Sequence, residues 1–452
     1  MLWLGVLFFA ASLFSTEVFT QNSILENYVQ QAIQQNLAIQ KTQLQRTRQL
    51  SKIDQARRMM GPSVDVSTTY LLAKGGRTLN FPIGDLLNPA YTALNELTGT
   101  NQFPTDLENT KVQLTPNNFL DAQLTISQPL IFSAIQSNIQ IQQTLLQLDD
   151  LDIAIQQQEI AYQVKMAYFN YLKTIEGTRI LEASENLLKE VQIFNQKLVK
   201  FDKATDEILF DVDYQLENIS SQKAALQAQN QASRAFFNHL LNRELDTEIL
   251  IDESQLDNMP KNSASLESLK QIALQKRLEF QKISVAKTVN SLNQKRIEKE
   301  ALPTLGIRGG VGIQTENFNF DQGGPLFSVG LGLNMNLFDN GQRKKQLEEI
   351  AVDRNILEND QAQLAQKVEL EVIQIYYALQ SLDSQLAAQE AAEVNARKSY
   401  DRLKIKYEND KALLIELLTA QNKLTVSQLS KTLVRYDYLI KEAELTKILA
   451  RE

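Results

Sequence analysis

Residues 327–337 read FSVGLGLNMNL, in which apolar side chains alternate with small or polar ones along the whole segment. Successive side chains of a β-strand point to opposite faces of the sheet, so this alternation predicts a strand with one apolar and one polar face. A tilted strand of about 9 to 11 residues is long enough to cross a lipid bilayer. The apolar face of this strand therefore needs either a packing partner or lipid.

Three further segments alternate in the same way. Strands are predicted at residues 62–72, 119–130, 304–315 and 326–337. In a soluble sandwich their apolar faces would pack on a second sheet, but the helices predicted elsewhere use their apolar stripes on one another. We therefore expect the strands to face lipid. Closed membrane barrels start at about eight strands, so four strands in one chain require several chains, and three chains would give twelve.

Nearly all Gly and Pro residues lie in two windows, 61–129 and 303–341. Because both residues disrupt helices, their scarcity elsewhere predicts long helices. Helices are predicted at residues 23–60, 133–200, 206–242, 265–301, 340–407 and 411–450. Their apolar residues recur every three or four positions, the spacing of helices that pack as coiled coils. An unbroken helix over residues 133–200 would be roughly 100 Å long.

The order of predicted elements repeats along the chain, which indicates an internal duplication. The first repeat is predicted at 21–243 and the second at 265–452, with a linker at 244–264 between them. Residues 73–118 join the first two strands, and so long a connection predicts an external loop. The fold class is therefore α+β, with duplicated long helices and four transmembrane strands in each chain.

The composition excludes several classes of function. The chain has 452 residues, no Cys, a single His and a formal net charge of -8. Without Cys it forms no disulfide and has no thiolate metal site, and one His makes a multi-His metal site or His-based catalysis hard to assemble. The negative charge argues against binding to nucleic acid. We therefore expect no enzyme activity, no cofactor and no bound metal.

Residues 1–14 form an apolar run that polar residues follow. About 13 apolar residues are too few for a membrane-spanning helix, which needs about 20. They fit the apolar region of a secretory signal peptide. A signal peptide is therefore predicted over residues 1–20, with cleavage near Thr20, and the chain is expected to be exported; a retained N-terminal anchor is the alternative.

Short motifs mark the junctions between the predicted helices and strands. GPSV at 61–64 and LPTL at 302–305 place a Pro where a helix meets a strand, while QPLIF at 128–132 and NLFDNGQR at 336–343 stand where strands return to helices. The last motif lies at residues 407–439, which cover the turn between the last two predicted helices and much of the final helix. In this order the motifs resemble those of the TolC-type outer-membrane efflux proteins, or outer membrane factors, over essentially the whole mature chain.

The resemblance implies a homotrimer with a twelve-stranded barrel in the cell outer membrane, continued by a helical tunnel into the periplasm. It implies the exit duct of a tripartite efflux pump or a type I secretion system. The implied partners are a periplasmic adaptor (membrane fusion) protein, an inner-membrane transporter and outer-membrane lipid. Transport through this subunit would be passive, because the chain has no Gly-rich loop of the kind that binds phosphates.

Candidate site residues come from the same resemblance. In the family, acidic residues near the final helix hairpin narrow the periplasmic end of the tunnel, and that position falls on Glu416. Thr419, Asp410 and Asp211 complete the predicted gate, in which a ring of Glu416 would favour cations; an ordinary surface glutamate is the alternative. The polar strand faces supply candidate lumen positions, which are Arg308, Gln314, Asn334, Asn336, Asp121 and Gln123; for Arg308 an interface salt bridge is the alternative.

The two helix turns depart from the family pattern. Where the family usually has Gly, this chain is predicted to have Ala204 in the first turn and Asp410 in the second. Asp accepts a left-handed turn conformation better than Ala does. The two turns are therefore expected to differ from each other, and so is their contact with an adaptor.

Two other function classes have less support from the sequence. A periplasmic coiled-coil adaptor or scaffold would carry one helical hairpin flanked by two β halves, whereas this chain alternates two strand pairs with two helical regions. An enzyme with a helical body has little support without Cys, with one His and without clustered carboxylates in a predicted cleft. The sequence therefore favours a channel.

Overall fold

The computed structural model describes residues 23–115, 117–251, 264–321 and 324–450. The predicted signal peptide and most of the predicted linker lie outside the described residues. Two compact units make up the chain. Among the described residues, the helical unit contains those up to Thr47, those within Gln147–Ala286 and those from Ile356 onward, and the strand unit contains those within Arg48–Leu146 and Lys287–Asn355. Within the described ranges, no helix combines the length and apolar composition that crossing a membrane requires.

The strand unit is built on one antiparallel sheet of four strands. These are β1 (Ser63–Leu71), β4 (Phe119–Ile131), β5 (Thr304–Glu316) and β6 (Pro325–Asn334), in the order β1-β4-β5-β6. The register pairs Leu71 with Phe119 and Gly310 with Ser328, and it shifts between Pro129 and Ile131. Within this chain β1 and β6 are the two edges of the sheet.

The register sorts the side chains by polarity, because directly paired residues share a face of a sheet. The polar face carries Ser63, Asp65, Ser67, Thr69, Asp121, Gln123, Thr125, Ser127, Arg308 and Gln314. The other face carries Val64, Val66, Leu124, Ile126, Val311, Ile313, Phe327, Val329, Leu331 and Leu333. The sheet therefore has one polar and one apolar face, as its period-two sequence requires.

Strand β6 ends at Asn334 and not at residue 337. Asn336 accepts a hydrogen bond from the backbone N–H of Phe338 at 3.2 Å, and Asp339 accepts one from Gly341 at 3.0 Å. Asn and Asp side chains compete in this way with strand pairing and initiate turns. The prediction of Asn336 as a strand position is therefore wrong.

The predicted external loop at 73–118 contains regular structure of its own. Strands β2 (Thr78–Phe81) and β3 (Thr110–Gln113) form a second antiparallel sheet, and helix α3 (Ile83–Thr98) lies between them in the chain. Helix α3 includes Pro89, although proline disrupts helices and this residue lies in the predicted loop. A Pro removes one hydrogen bond of a helix, and the segment's other contacts keep α3 in place.

The helix predicted at 23–60 is two helices, α1 (Ile24–Gln35) and α2 (Leu37–Arg58), separated at Asn36. Its counterpart at 265–301 is likewise two helices, α6 (Leu266–Lys276) and α7 (Leu278–Lys299), separated at Arg277. Both junction residues have extended backbone, and neither is Gly or Pro.

Contacts across the fold hold these two breaks. The Asn36 amide donates to the carbonyl oxygen of Leu240 at 3.0 Å and accepts from the N–H of Ala38 at 2.9 Å. The Arg277 guanidinium donates to Glu279 at 3.1 Å and also pairs with Glu371. The prediction of one helix at 23–60 and one at 265–301 is therefore wrong, because residues distant in the sequence stabilise both interruptions.

The remaining helices are long. They are α4 (Ser133–Lys200), α5 (Glu207–Leu240), α8 (Gln342–Glu408) and α9 (Leu414–Ile448). Within the helical unit, buried apolar side chains form separate clusters, one around Tyr168 and Phe237, one around Leu188 and Leu417, and one around Val372 and Leu445. These stripes bury one helix against another, as their spacing predicts.

Candidate functional site

The turn between α4 and α5 is a Schellman motif, the hydrogen-bonded ending common at helix C-termini. The N–H of Lys203 donates to the carbonyl of Leu198 at 2.8 Å, and the N–H of Asp202 donates to that of Val199 at 3.0 Å. Asp202 has φ 59°, the left-handed conformation that the motif requires. The left-handed residue of this turn is therefore Asp202.

The turn between α8 and α9 has the same construction. The N–H of Lys411 donates to the carbonyl of Lys406 at 2.8 Å, the N–H of Asp410 donates to that of Tyr407 at 3.1 Å, and Asp410 has φ 55°. Both turns therefore read Asp-Lys-Ala from the left-handed residue onward. The predicted correspondence of Ala204 with Asp410 is wrong, since Asp202 corresponds to Asp410 and Ala204 to Ala412.

Each hairpin also contains a triad of charged side chains, here called an ion triad. The members of the two triads occupy corresponding positions in the two hairpins. In the first hairpin, Glu185 on α4 accepts from Lys189 and from Lys223 on α5, each at 2.6 Å. These two hydrogen bonds lower the pKa of Glu185 to about 2.

In the second hairpin, Glu393 on α8 contacts Arg397 at 3.4 Å and Lys431 on α9 at 2.9 Å. Burial acts to raise the pKa of Glu393, but the hydrogen bond and charge of Lys431 outweigh it, so that the pKa is lowered. The duplication therefore extends to the side chains that join the two helices of each hairpin.

Buried polar contacts join α4 to the second hairpin. The hydroxyl of Tyr407 donates to Asn195 at 2.6 Å, and its ring meets Phe194 edge-on at 5.7 Å between centroids. Burial raises the pKa of Tyr407. A second contact lies further along α4, where the Ser184 and Thr425 hydroxyls are 2.7 Å apart and Gln421 donates to both. The ends of the two hairpins are thus fixed to each other.

The structure places the predicted gate residues around these turns. The carboxylate of Glu416 accepts the N–H of Leu413 at 2.9 Å, which caps the first turn of α9. The Thr419 hydroxyl donates to the carbonyl of Ile415 at 2.6 Å. Glu416 and Thr419 are both exposed and, being three residues apart, lie on one face of α9. Asp410 lies in the preceding turn, and Asp211 is an exposed residue of α5 that corresponds to Thr419.

The candidate lumen positions share the polar face of the four-stranded sheet, apart from Asn336. Gln123 donates to both carboxylate oxygens of Asp121, at 2.8 and 3.0 Å, and Gln314 donates to one of them at 3.4 Å. In the strand register Arg308 lies opposite Ser127 on β4 and Gly330 on β6. Asn334 lies opposite Thr304, at the end of the sheet far from Asp121. Arg308 also borders an open cavity of about 750 Å³, together with Arg58 of α2. The polar face therefore carries both charge signs.

One signal in the sequence was missed. The tripeptide Asp-Lys-Ala occurs at 202–204 and again at 410–412, and aligning its two copies gives the register of the hairpins directly. The predicted correspondence of Ala204 with Asp410 would instead pair Phe201 with Tyr407. The hydrogen bonds of the turns, and not the aromatic residues, define the corresponding positions.

Comparison with known proteins gives a family for the second repeat and a fold for the whole chain. Residues 269–451 match the sequence model of the outer membrane efflux protein family. No curated protein is similar enough in sequence to serve as a relative.

Three solved structures illustrate the shared fold. CusC, described as forming a transmembrane channel, has a TM-score of 0.73 and 14% identity, covering 96% of each chain. The outer membrane channel CmeC of Campylobacter jejuni has a TM-score of 0.71 and 13% identity, covering 94% of this chain and 85% of its own. The open state of MtrE from Neisseria gonorrhoeae has a TM-score of 0.71 and 13% identity, covering 94% and 89%.

Proposed function

Because residues 269–451 match the outer membrane efflux protein family and the whole chain shares the fold of such channels, we propose that three copies form an outer-membrane channel that is the exit duct of a tripartite efflux pump. The four-stranded sheet is the observation that carries this proposal. It has one apolar face, one polar face and two edge strands, each of which pairs with a single strand among the described residues. A barrel pairs such edges and satisfies every backbone hydrogen bond in lipid.

The apolar face of the sheet is strongly exposed in the single chain. The side chains of Val66, Phe327 and Leu331 are 77%, 74% and 70% exposed. Removing apolar surface from water contributes about 25 cal/mol per Å², so a row of such residues favours lipid over water. Pairing β6 of one copy with β1 of the next would close a barrel of twelve strands, with the apolar residues outside.

The polar face would then line the lumen. Asp121, Gln123, Gln314, Asn334 and Arg308 would contact the transported solute in water, and their mixed charge gives the duct no narrow chemical selectivity. The duct is therefore a passive conduit. The source of transport energy is an inner-membrane transporter coupled through a periplasmic adaptor protein, and a type I secretion system uses the same arrangement.

We place the periplasmic gate at the hairpin ends, with Glu416 as its charged residue. Its capping bond to Leu413 holds the carboxylate at the N-terminus of α9, where the helix dipole favours negative charge. Three such carboxylates around one axis would attract cations and repel anions. Asp410, Thr419 and Asp211 are the further polar residues around this end.

Membrane fractionation tests the channel. An expressing host with two membranes is separated on a density gradient, and the mass of the detergent-extracted particle is measured by light scattering. Recovery of a trimer from the outer-membrane fraction is the expected result. A soluble periplasmic species, or a membrane species without a trimer, would overturn the proposal and favour a periplasmic scaffold.

Single-channel recording tests the gate. Glu416→Gln removes the charge while its amide oxygen can still accept from Leu413, so the cap persists. We expect this variant to lose cation preference, whereas Glu390→Gln, at an exposed position on α8, keeps it. Equal selectivity of Glu416→Gln and the parent would place the gate elsewhere.

A further inference from the structure

We propose that α3 packs against α3 of the neighbouring copies along one apolar seam; this inference rests on the proposed trimer. The seam consists of Ile83, Leu86, Ala90, Ala93 and Leu97, which occupy alternating a and d positions of a heptad pattern. Ile83, Leu86 and Leu97 are 40%, 69% and 84% exposed, and both alanines are exposed as well. An apolar seam of this spacing fits another helix.

Contacts within the chain fix the opposite side of α3. Asn88 makes two hydrogen bonds to the backbone of Leu107, at 2.8 and 2.9 Å, and Asn95 makes two to the backbone of Phe103, at 2.8 and 3.0 Å. Gly84 lies so close to Leu107 that a Cβ would be 2.0 Å from its carbonyl oxygen. Because these residues bind the chain's own 103–107 segment, the seam is held facing outward.

Charge distinguishes a second copy of α3 from a lipid surface. Helices that lie in a lipid interface carry Lys and Arg on their polar side. The two charged residues of α3 are Asp85 and Glu96, and the helix contains no basic residue. Asp85 also accepts a hydrogen bond from Asn109 at 2.9 Å within the chain. Without a basic residue, α3 lacks the charge by which such helices bind lipid headgroups, whereas its uncharged seam can pack on another copy of itself.

The fold brings the copies of α3 near one another in the proposed trimer. Leu71 at the end of β1 pairs with Phe119 at the start of β4, so the segment that contains α3 leaves and rejoins the sheet at one end. Three such segments on one barrel rim have a high local concentration, and a short seam then suffices for association. The two alanines in the middle of the seam allow the helices to approach closely.

Disulfide formation tests the seam cleanly, because the chain has no cysteine of its own. Ala90→Cys lies in the seam, and Thr92→Cys is the control at an exposed position outside it. Mild oxidation of the detergent-extracted protein should link Ala90→Cys into dimers on a non-reducing gel, and Thr92→Cys should stay unlinked. A disulfide needs Cα atoms within about 7 Å, so linkage reports close contact.

The mass of each variant, measured by light scattering, separates the possible failures. A trimer in which Ala90→Cys stays unlinked, or in which both variants link equally, would overturn the seam and leave the channel standing. Loss of the trimer in the unoxidised parent would overturn the proposed function itself. A spin label at Ala90 relaxed by membrane-soluble oxygen would assign the seam to lipid and also overturn the proposal.

Discussion

The two helical hairpins have the same kind of turn and the same kind of ion triad. They differ in how deeply the residues that follow the turn are buried. In the second hairpin, Leu417 and Leu418 of α9 are 1% and 4% exposed. At the corresponding positions of the first hairpin, Leu209 is half-buried and Phe210 is 68% exposed. The difference shows that local hydrogen bonds preserve a turn after duplication, whereas the neighbours of each helix decide which of its residues are buried.

The largest expected effect tests this difference in burial. Leu417→Ala removes a side chain that is fully buried, and such changes typically destabilise a protein by about 2 to 5 kcal/mol. Leu209→Ala at the corresponding position should cost clearly less, because part of that side chain is already in water. Thermal unfolding of the detergent-extracted protein measures both variants, and equal losses would contradict the comparison.

A second prediction concerns the tyrosines of α8. Tyr407→Phe removes the hydroxyl that donates to the buried Asn195 and should destabilise the protein by about 1 to 3 kcal/mol. Tyr400 is the matched control, because its buried hydroxyl has no hydrogen-bond partner among the described residues. Tyr400→Phe should therefore be neutral or slightly stabilising in the same assay. A larger loss for Tyr400→Phe than for Tyr407→Phe would refute this assignment.

The ion triads predict a dependence on pH. The pKa of Glu185 is lowered to about 2, so its ion pairs stabilise the folded state fully above its ordinary pKa of 4.5 and lose this contribution as the pH falls toward 2. The melting temperature of the parent should therefore exceed that of Glu185→Gln at neutral pH, and the gap should close below pH 4.5. Glu393→Gln should behave alike but with a smaller gap, because its contact with Arg397 is longer. A difference in melting temperature between parent and variant that grows as the pH falls would contradict this prediction.

The smallest effect distinguishes the two alignments of the turns. Asp202→Gly and Asp410→Gly should each stabilise the protein by about 1 kcal/mol, because glycine adopts the left-handed conformation without strain. Ala204 does not have a left-handed backbone, so Ala204→Gly should not stabilise. Stabilisation by Ala204→Gly alone would restore the alignment of Ala204 with Asp410.

Much of the fold follows from the sequence. The predicted fold class and the resemblance to outer membrane efflux proteins are confirmed by the family match and by the shared fold. Alternation in 327–337 is a local property, and so is the scarcity of Gly and Pro in the long helices. Helix α3 could also have been predicted, because its heptad spacing is visible once Pro89 is not taken as a loop signal.

The candidate site was predictable only in part. Glu416 and Thr419 share an exposed helical face because they are three residues apart, which is a property of any helix. The capping bond of Glu416 depends on where α9 begins, and Asn336 left the strand because its side chain bonds to the backbone of Phe338. Such choices between local hydrogen bonds and regular pairing depend on geometry that residue types alone do not define.

The periodicity of each element, the duplication and the polarity of each face follow from the order of residues, since these features depend on the spacing of apolar side chains. The positions at which helices break, and the positions that correspond between the hairpins, depend on contacts made in the folded chain. Asn36 interrupts a helix because the carbonyl of Leu240, distant in sequence, accepts its amide. Asp202 and Asp410 correspond because each is the left-handed residue of its turn, and the backbone conformation of a single residue is set by the hydrogen bonds that close around it.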